Sequence, residues 1–266
     1  MHPFDSALQM QPRGDGRLIG RASRDYWNMV GPYGGITAAT ALRAVLLQPA
    51  AQGSPLALTA NFVAPVRDDA FSIEVSLQRS NRSTQHWHLR ILQSLPDGGE
   101  DVVLQAMVVM GQRREVWSGR AAHAPKAAGP EGLKRRRGRD EIPWFSRYDL
   151  RFATHPFRPE SLDDPIIHWV RDDPPRPLDF PSLTAIADTF FPPMFAHRGA
   201  MVPVATVSMN VYFHCGHEDL AAMGERWLLG EGRSNVFHEG FFDAEARLWA
   251  EDRLVVTTHQ VMWYRE

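Results

Sequence analysis

The chain has 266 residues, 44% of them hydrophobic and 23% charged, which is ample apolar material for a globular core. The formal net charge of -2 argues against a general nucleic-acid-binding protein, because such a protein needs a basic surface. A single cysteine, Cys215, excludes an intrachain disulfide framework and fits a reducing compartment.

The amino-terminal residues lack the basic-then-apolar pattern of a signal peptide. No uninterrupted apolar run has the length that a membrane-spanning helix requires. We therefore expect a cytoplasmic protein without a membrane partner.

The first half of the chain reads as one helix followed by several strands. A short strand is predicted at residues 17–21, and an alanine-rich helix follows Gly34 and Gly35 at residues 36–47. The small side chains of this helix favour close packing against a sheet. Strands are predicted at 56–62, 71–77, 86–92 and 102–110, and one helix with antiparallel strands is typical of the α+β class.

Glycine, proline and charged residues accumulate after residue 112, and a linker is predicted at 116–145. It contains the basic run from Lys134 to Arg139. Such a run is more often a solvated loop than the binding site of an anionic ligand, and the sequence leaves both interpretations open.

The second half repeats the pattern of the first. Strands are predicted at 148–152 and 166–170, then a helical segment around Asp188, and then strands at 205–213, 227–232, 235–242 and 253–264. Two landmarks, Phe62 with Phe213 and Arg82 with Arg233, are each separated by 151 residues. This common offset indicates an internal duplication, with an amino-terminal unit at 1–115 and a carboxy-terminal unit at 146–266.

The offset also exposes an asymmetry between the two units. Asp188 is a lone carboxylate in a mostly apolar run, which is costly unless the acid is solvated, paired or used. It corresponds to Thr37, and Thr206 corresponds to Pro55. With two extra residues allowed in the last strand, Gln260 corresponds to Met107. An acid, a hydroxyl and an amide thus occur in one unit only. The alternative is that Thr206 and Gln260 are ordinary strand residues and that Asp188 caps a turn.

Several common catalytic motifs are absent from the sequence. It contains no nucleophile elbow, phosphate-binding loop or zinc-binding helix motif. His214, Cys215, His217 and Glu218 have metal-binding side chains, but they follow a strand where a turn is expected, so we expect no metal site.

At these residues the chain resembles the acyl-CoA thioesterase II family, and more closely the thioesterase-like double-hotdog proteins. The resemblance rests on the helix after the glycine pair, Asn61-Phe62, Asp188, Thr206 and Gln260, together with the segment from Trp169 to Pro193. It implies a tandem double hotdog, in which each half is a long helix wrapped by a curved antiparallel sheet.

The resemblance further implies hydrolysis of acyl-CoA to free acid and coenzyme A, in fatty acid metabolism, with no cofactor and no metal. Asp188, Thr206 and Gln260 would hold the attacking water, with Asp188 as general base. Backbone N–H groups at Gly34 and Gly35 would bind the developing oxyanion from the opposite half. Relatives of this kind associate through their sheets, so a homo-oligomer is expected.

Two other functions stay open from the sequence. A hotdog dehydratase or hydratase needs a histidine paired with an acid, and the one histidine near Asp188 is His197, beyond two prolines. A non-catalytic acyl-CoA-binding protein would use the same three residues structurally.

Overall fold

The structure is a computed structural model that describes residues 1–138, 140–156 and 165–265. Its first half contains a short helix, the main helix and six strands: α1 (Pro3–Ala7), β1 (Gln11–Pro12), β2 (Leu18–Arg21), α2 (Gly34–Leu46), β3 (Ser54–Phe62), β4 (Ala70–Ser80), β5 (Thr84–Ser94) and β6 (Glu100–Gly111). Every helix and strand predicted for this half is confirmed.

The second half contains three short helices and seven strands: β7 (Tyr148–Phe152), β8 (Ile166–Asp172), α3 (Phe180–Ile186), α4 (Pro193–Arg198), β9 (Val204–Phe213), α5 (His217–Met223), β10 (Leu228–Arg233), β11 (Phe237–His238), β12 (Phe241–Ala250) and β13 (Arg253–Tyr264). Short 3-10 helices lie at Arg24–Tyr26, Pro130–Gly132 and Pro143–Arg147.

Among the described residues, thirteen strands form one antiparallel sheet in which the two halves mirror each other. The first half contributes the order β2-β4-β5-β6-β3, and the second continues with β9-β13-β12-β10-β8. β3 and β9 pair directly at the seam, where Thr59 lies opposite Asn210 and donates a hydrogen bond to its side chain at 2.7 Å. These two residues are 151 positions apart, so the seam lies on the axis that relates the halves.

The main helix α2 is buried almost throughout, as its alanine-rich sequence predicts. Ala38, Ala39, Ala41 and Ala44 are inaccessible to solvent. Their small side chains let α2 approach both the sheet and α3 closely, and the helices and one face of the sheet form the main core. We call this the inner face of the sheet.

The helix of the second half is shorter than expected, and Asp188 lies outside it. α3 ends at Ile186, and the N–H groups of Asp188 and Thr189 bond to carbonyls three residues back. Pro192 and Pro193 then interrupt the helical backbone, because proline lacks the N–H group and clashes with the preceding turn. The prediction of a long second helix that carries Asp188 is therefore wrong, and a tight turn carries this residue instead.

Strand pairing shows where the offset of 151 residues between the halves holds and where it does not. The Phe62 and Phe213 landmark is confirmed, since these residues end β3 and β9. The second landmark is wrong: Arg82 lies in a turn after β4, whereas Arg233 is the last residue of β10. The helix α5 is inserted before β10 and shifts the following strands relative to the first half. The strand predicted at 235–242 lies instead at Phe241–Ala250.

The last strands also follow a different offset from the one predicted. Val108 lies opposite Leu58, and Gln260 lies opposite Met209. Because Leu58 and Met209 are 151 positions apart, the counterpart of Gln260 is Val108 and not Met107. Val108 is buried and Met107 is 56% exposed, in agreement with this register.

The segment between the halves covers the outer face of the second half. Ala122 and Ala124 pack on a small cluster of Ile167, Leu229 and Trp249. In the basic run, Arg135 pairs with Asp173 and donates hydrogen bonds to backbone carbonyls. Arg135 thus has a structural role, while Arg139 lies outside the described residues.

Candidate active site

Asp188 accepts hydrogen bonds from both halves of the molecule. Its Oδ2 accepts from the backbone N–H of Gly35 at 2.6 Å, and its Oδ1 accepts from the side-chain amide of Gln260 at 2.8 Å. Gly35 belongs to the first turn of α2, where helical N–H groups have no partner within the helix and the dipole favours a negative charge. The turn after α3 therefore places a carboxylate against the start of α2.

Gln260 connects Asp188 to Thr206. The Thr206 hydroxyl donates to Gln260 Oε1 at 3.0 Å, so the amide donates at one end and accepts at the other. This arrangement fixes the orientation of the amide, because the reverse orientation would place the amide oxygen against Oδ1 of Asp188, acceptor against acceptor. The structure thus brings together the three side chains that the sequence singled out.

A β-bulge at Val207 accounts for the position of Thr206. Ser208 lies opposite Val261 and Thr206 lies opposite Met262, so Val207 is an extra residue in β9. Without this bulge the alternation of a strand would place Thr206 on the opposite face from Gln260. The first half has the same bulge at Leu56, between Pro55 and Ala57. The duplicated bulge is a property of the fold, and only one copy presents a hydroxyl.

The two glycines at the start of α2 make the approach of Asp188 sterically feasible. A Cβ on Gly35 would lie 2.6 Å from the Ala185 carbonyl oxygen and 2.9 Å from Asp188 Cβ. A Cβ on Gly34 would lie 2.9 Å from Asp188 Oδ2. The expectation of an open N–H at Gly35 is wrong, because that group is bonded to Asp188. Gly34 is the first residue of α2, and its N–H has no partner within the helix.

Tyr33 stabilises the turn that carries Asp188, and it was not identified from the sequence. Its hydroxyl donates to the Ala185 carbonyl oxygen at 3.1 Å and is hydrogen-bonded to the hydroxyl of Tyr148. Ala185 also accepts from the Asp188 N–H at 3.1 Å. The residue before Gly34 therefore holds the turn that carries Asp188, and an aromatic side chain next to a glycine pair was the available sequence signal.

Burial raises the pKa of Asp188 to about 6, against the lowering effects of the hydrogen bonds from Gln260 and Gly35. A carboxylate with a pKa near the working pH can accept a proton in one step and release it in the next. The arrangement is therefore suited to general base chemistry.

The corresponding positions in the first half have neither the acid nor the amide. Pro55 and Val108 stand in place of Thr206 and Gln260, and the Thr37 hydroxyl donates to the Tyr33 carbonyl just before α2 at 3.4 Å. Among the described residues, the acid, amide and hydroxyl therefore occur together in one half.

Two surface depressions, with volumes of about 200 and 420 Å³, lie on the outer face of the sheet. Neither is lined by Asp188, Thr206 or Gln260. In the described part of the chain, no helix is long and apolar enough to cross a membrane.

Family models match both halves of the chain. The model of the acyl-CoA thioesterase N-terminal domain matches residues 23–111, and that of the C-terminal domain matches residues 121–264. A comparison with curated proteins gives no match.

Solved structures agree in fold. A conserved hot dog fold protein of unknown function from Alicyclobacillus acidocaldarius is 39% identical, with a TM-score of 0.93 over 100% of this chain and 99% of that chain. The tesB protein of Mycobacterium avium subsp. paratuberculosis is 20% identical, with a TM-score of 0.79 over 99% and 98%. The acyl-CoA thioesterase II TesB2 of Mycobacterium marinum is 16% identical, with a TM-score of 0.77 over 98% of each chain. The chain therefore has a hotdog fold and belongs to the acyl-CoA thioesterase family of thioester hydrolases.

Proposed function

We propose that the protein hydrolyses the thioester bond of acyl-CoA to a free acid and coenzyme A, using a water held by Asp188, Thr206 and Gln260. The observation that carries the proposal is the hydrogen-bonded chain from Gly35 through Asp188 and Gln260 to Thr206. It orients a partly buried carboxylate and leaves lone pairs of Asp188 and Thr206 to bind a water molecule.

In the first step, the water oxygen forms a bond to the thioester carbonyl carbon while Asp188 accepts one of its protons. The carbonyl oxygen becomes an oxyanion. In the second step, the carbonyl re-forms, the carbon–sulfur bond breaks, and the thiolate of coenzyme A takes the proton from Asp188. The carboxylate is regenerated, and no covalent enzyme intermediate forms.

The oxyanion requires hydrogen-bond donors placed in advance. Gly34 supports this role best, because its N–H lies at the start of α2 and a Cβ built on Gly34 would lie 2.9 Å from Oδ2 of Asp188. Gly35 has a different role in this mechanism: it fixes the carboxylate and stabilises its charged form.

The mirrored strand order supports a tandem double hotdog, with units at 1–115 and 146–266 and a linker at 116–145. In the second unit α3 and α4 take the place of one long helix. We further propose a cytoplasmic homo-oligomer that acts in fatty acid metabolism and needs neither a cofactor nor a metal.

The contacts of Asp188 favour hydrolysis over the dehydratase or hydratase alternative. That chemistry needs a histidine bonded to the acid, whereas the described partners of the Asp188 carboxylate are Gly35 and Gln260. The side chain of His197 lies outside the described residues.

Thiol release from a panel of acyl-CoA substrates tests the proposal. The Asp188→Asn variant should lose roughly 10²–10⁴ in turnover, the scale of a removed general base. Asp101→Asn, on β6 in the first half, is the matched control and should keep wild-type turnover.

The outcomes separate the enzyme class from the mechanism. A wild-type protein that releases no thiol from any chain length would overturn the hydrolase proposal. Full activity of Asp188→Asn would overturn the role of the acid and leave the hydrolase class standing.

A further inference from the structure

The inner face of the second half is lined differently from the inner face of the first. Strand pairing gives the equivalent positions. Val108 and Gln260 are counterparts; Trp87 lies opposite Val108, and Ala244 lies opposite Gln260. Trp87 and Ala244 are therefore equivalent. The same reasoning across neighbouring strands equates Leu89 with Ala246, Ile73 with Gly230, Val75 with Gly232, Ala106 with Thr258, and Leu18 with His168.

Side-chain volume is lost at four neighbouring positions. The first half fills them with Ile73, Val75, Trp87 and Leu89, whereas the second half has Gly230, Gly232, Ala244 and Ala246. We call these four residues of the second half the acyl strip. A packed core is normally filled to high density, and at Gly230 and Gly232 the ring of Phe190 takes the missing volume.

Three buried polar side chains beside the acyl strip have no hydrogen-bond partner among the described residues. The unpaired atoms are the two ring nitrogens of His168, Oγ1 of Thr258 and Oγ of Ser234. His168 is inaccessible to solvent, and Thr258 and Ser234 are 4% and 7% exposed. Native proteins pair nearly all such groups, and each unpaired one costs about 1–3 kcal/mol. They therefore point to a polar ligand in the same space.

Phe190 connects this region to the catalytic acid. It follows Asp188 by two residues, and its ring lies over the strip, within 2.6 Å of a Cβ built on Gly232 and 2.9 Å of one built on Gly230. It also meets His168 edge to face, with ring centroids 4.8 Å apart. The ring therefore fills the space over the two glycines, and a ligand in the acyl strip has to move it aside.

We propose that the acyl group of the substrate displaces the ring of Phe190, lies along the acyl strip and carries an uncharged hydroxyl or oxo group remote from the thioester, which binds to His168. This inference rests on the proposed thioesterase function and names its substrate class. His168 lies three strands from Gln260, about 14 Å across the sheet at the usual strand spacing, so the polar group lies far from the thioester.

The environment of His168 selects an uncharged oxygen. The rings of Phe152 and Phe190 pack on it, and Gly230 lies opposite it on β10. Burial lowers the pKa of His168 to about 3, so the imidazole is neutral and offers one donor and one acceptor. A hydroxyl complements both, an oxo group accepts from the donor, and a carboxylate would be buried without a cation.

The test compares pairs of acyl-CoA substrates of equal chain length, one with a terminal hydroxyl and one without. The ratio of their kcat/KM values should exceed about 10 at the best chain length for the wild type. His168→Leu installs the residue of the first half and should bring this ratio to about 1, because the hydroxylated substrate loses its hydrogen-bond partner. His88→Leu, on the outer face of β5, is the matched control.

A second variant tests where the acyl chain lies. Ala246→Leu installs the counterpart Leu89, and it should abolish activity on medium and long chains while a two-carbon or three-carbon chain is still hydrolysed. Its melting temperature should stay close to that of the wild type if the added side chain enters the space of the acyl group. A large loss of stability, or an unchanged chain-length profile, would overturn the placement of the acyl group.

The two proposals fail in different ways. Thiol release with an equal ratio in the wild type and in His168→Leu would overturn the role of His168 and leave the thioesterase intact. Absence of thiol release from every substrate would overturn the thioesterase, and this inference with it.

Discussion

The two halves of the molecule share a scaffold and differ in the residues that line it. Both have the same strand order and the same bulge next to the seam. On the outer face, Glu74 lies opposite Arg90 in the first half, and Glu231 lies opposite Arg247 at the equivalent positions of the second half. On the inner face, large apolar side chains in the first half are replaced by small or polar ones in the second. The fold therefore tolerates both linings, and among the described residues the acid, amide and hydroxyl occur together in the second half.

The first half still contributes to the site through its backbone. Gly35 donates to Asp188, and Tyr33 holds the carbonyl of Ala185 behind it. In the proposed mechanism, the half with the packed core supplies rigidity, and the other half supplies the reactive side chains. This division follows from the need to hold catalytic groups within a fraction of an ångström.

The largest expected effect comes from adding a side chain at Gly35, where α2 of the first half contacts the Asp188 turn of the second half. Gly35→Ala places a methyl group 2.6 Å from the Ala185 carbonyl oxygen and 2.9 Å from Asp188 Cβ. The Asp188 turn must move, and a displacement of about 1 Å should lower kcat by about 10²-fold. Steady-state kinetics, with melting temperatures measured in parallel, checks this.

Gly132→Ala serves as the control, because a Cβ there meets nothing within 4 Å. Turnover of Gly35→Ala within twofold of the wild type would show that the contact between halves does not position the acid.

A smaller effect is expected when the equivalent residues Gln260 and Val108 are exchanged one at a time. Gln260→Val removes a hydrogen bond that lowers the pKa of Asp188, so kcat should fall about tenfold and the acidic limb of the pH profile should move to higher pH. Val108→Gln buries an unpaired amide, which should cost about 1–3 kcal/mol of unfolding free energy and leave kcat unchanged.

Denaturant unfolding and kinetics on both variants check the exchange. Equal losses of activity in the two variants would mean that the halves contribute alike at this position.

The pH dependence should be the smallest of the three effects. The Asp188 pKa of about 6 lies above the ordinary value of 3.8, so kcat/KM should rise with pH through about 6. At pH 5 it should be about one tenth of its plateau, since the base form is then about one tenth populated.

Stability should show the opposite trend. The contribution of protonated Asp188 is complete below pH 3.8 and is lost as the pH rises through about 6, because ionisation of the buried group is unfavourable. A flat kcat/KM between pH 5 and 8 would contradict the role of Asp188 as the base.

Much of the fold could be predicted from the sequence, because strand alternation and the alanine-rich helix report burial directly. The strand predicted at 235–242 was wrong, and the offset of 151 residues does not hold along the whole chain. Strand pairing shows offsets of 151 at the seam, 157 for Ile73 with Gly230 and 152 for Val108 with Gln260. Insertion of α5 and a shorter turn before β13 change the offset without leaving a compositional signal.

The site was predictable in part. Asp188 stood out as a lone carboxylate in an apolar run, and Thr206 and Gln260 stood out as polar residues at positions that are apolar in the first half. Tyr33 and His168 did not, since a tyrosine beside glycines and a histidine in a strand have many ordinary explanations. Their roles depend on contacts with Ala185 and Phe190, which are more than 20 residues away in sequence.

The pairing of β3 with β9 at the seam affects which residues the chain can accept on the axis between the halves. At the axis, Thr59 faces its own counterpart, Asn210. In a dimer of identical chains this position would meet a copy of itself, so any residue there would have to be self-compatible. Covalent fusion removes that requirement, and a donor and an acceptor of different kinds can meet on the axis. The Thr59–Asn210 hydrogen bond is a contact that two identical subunits could not make.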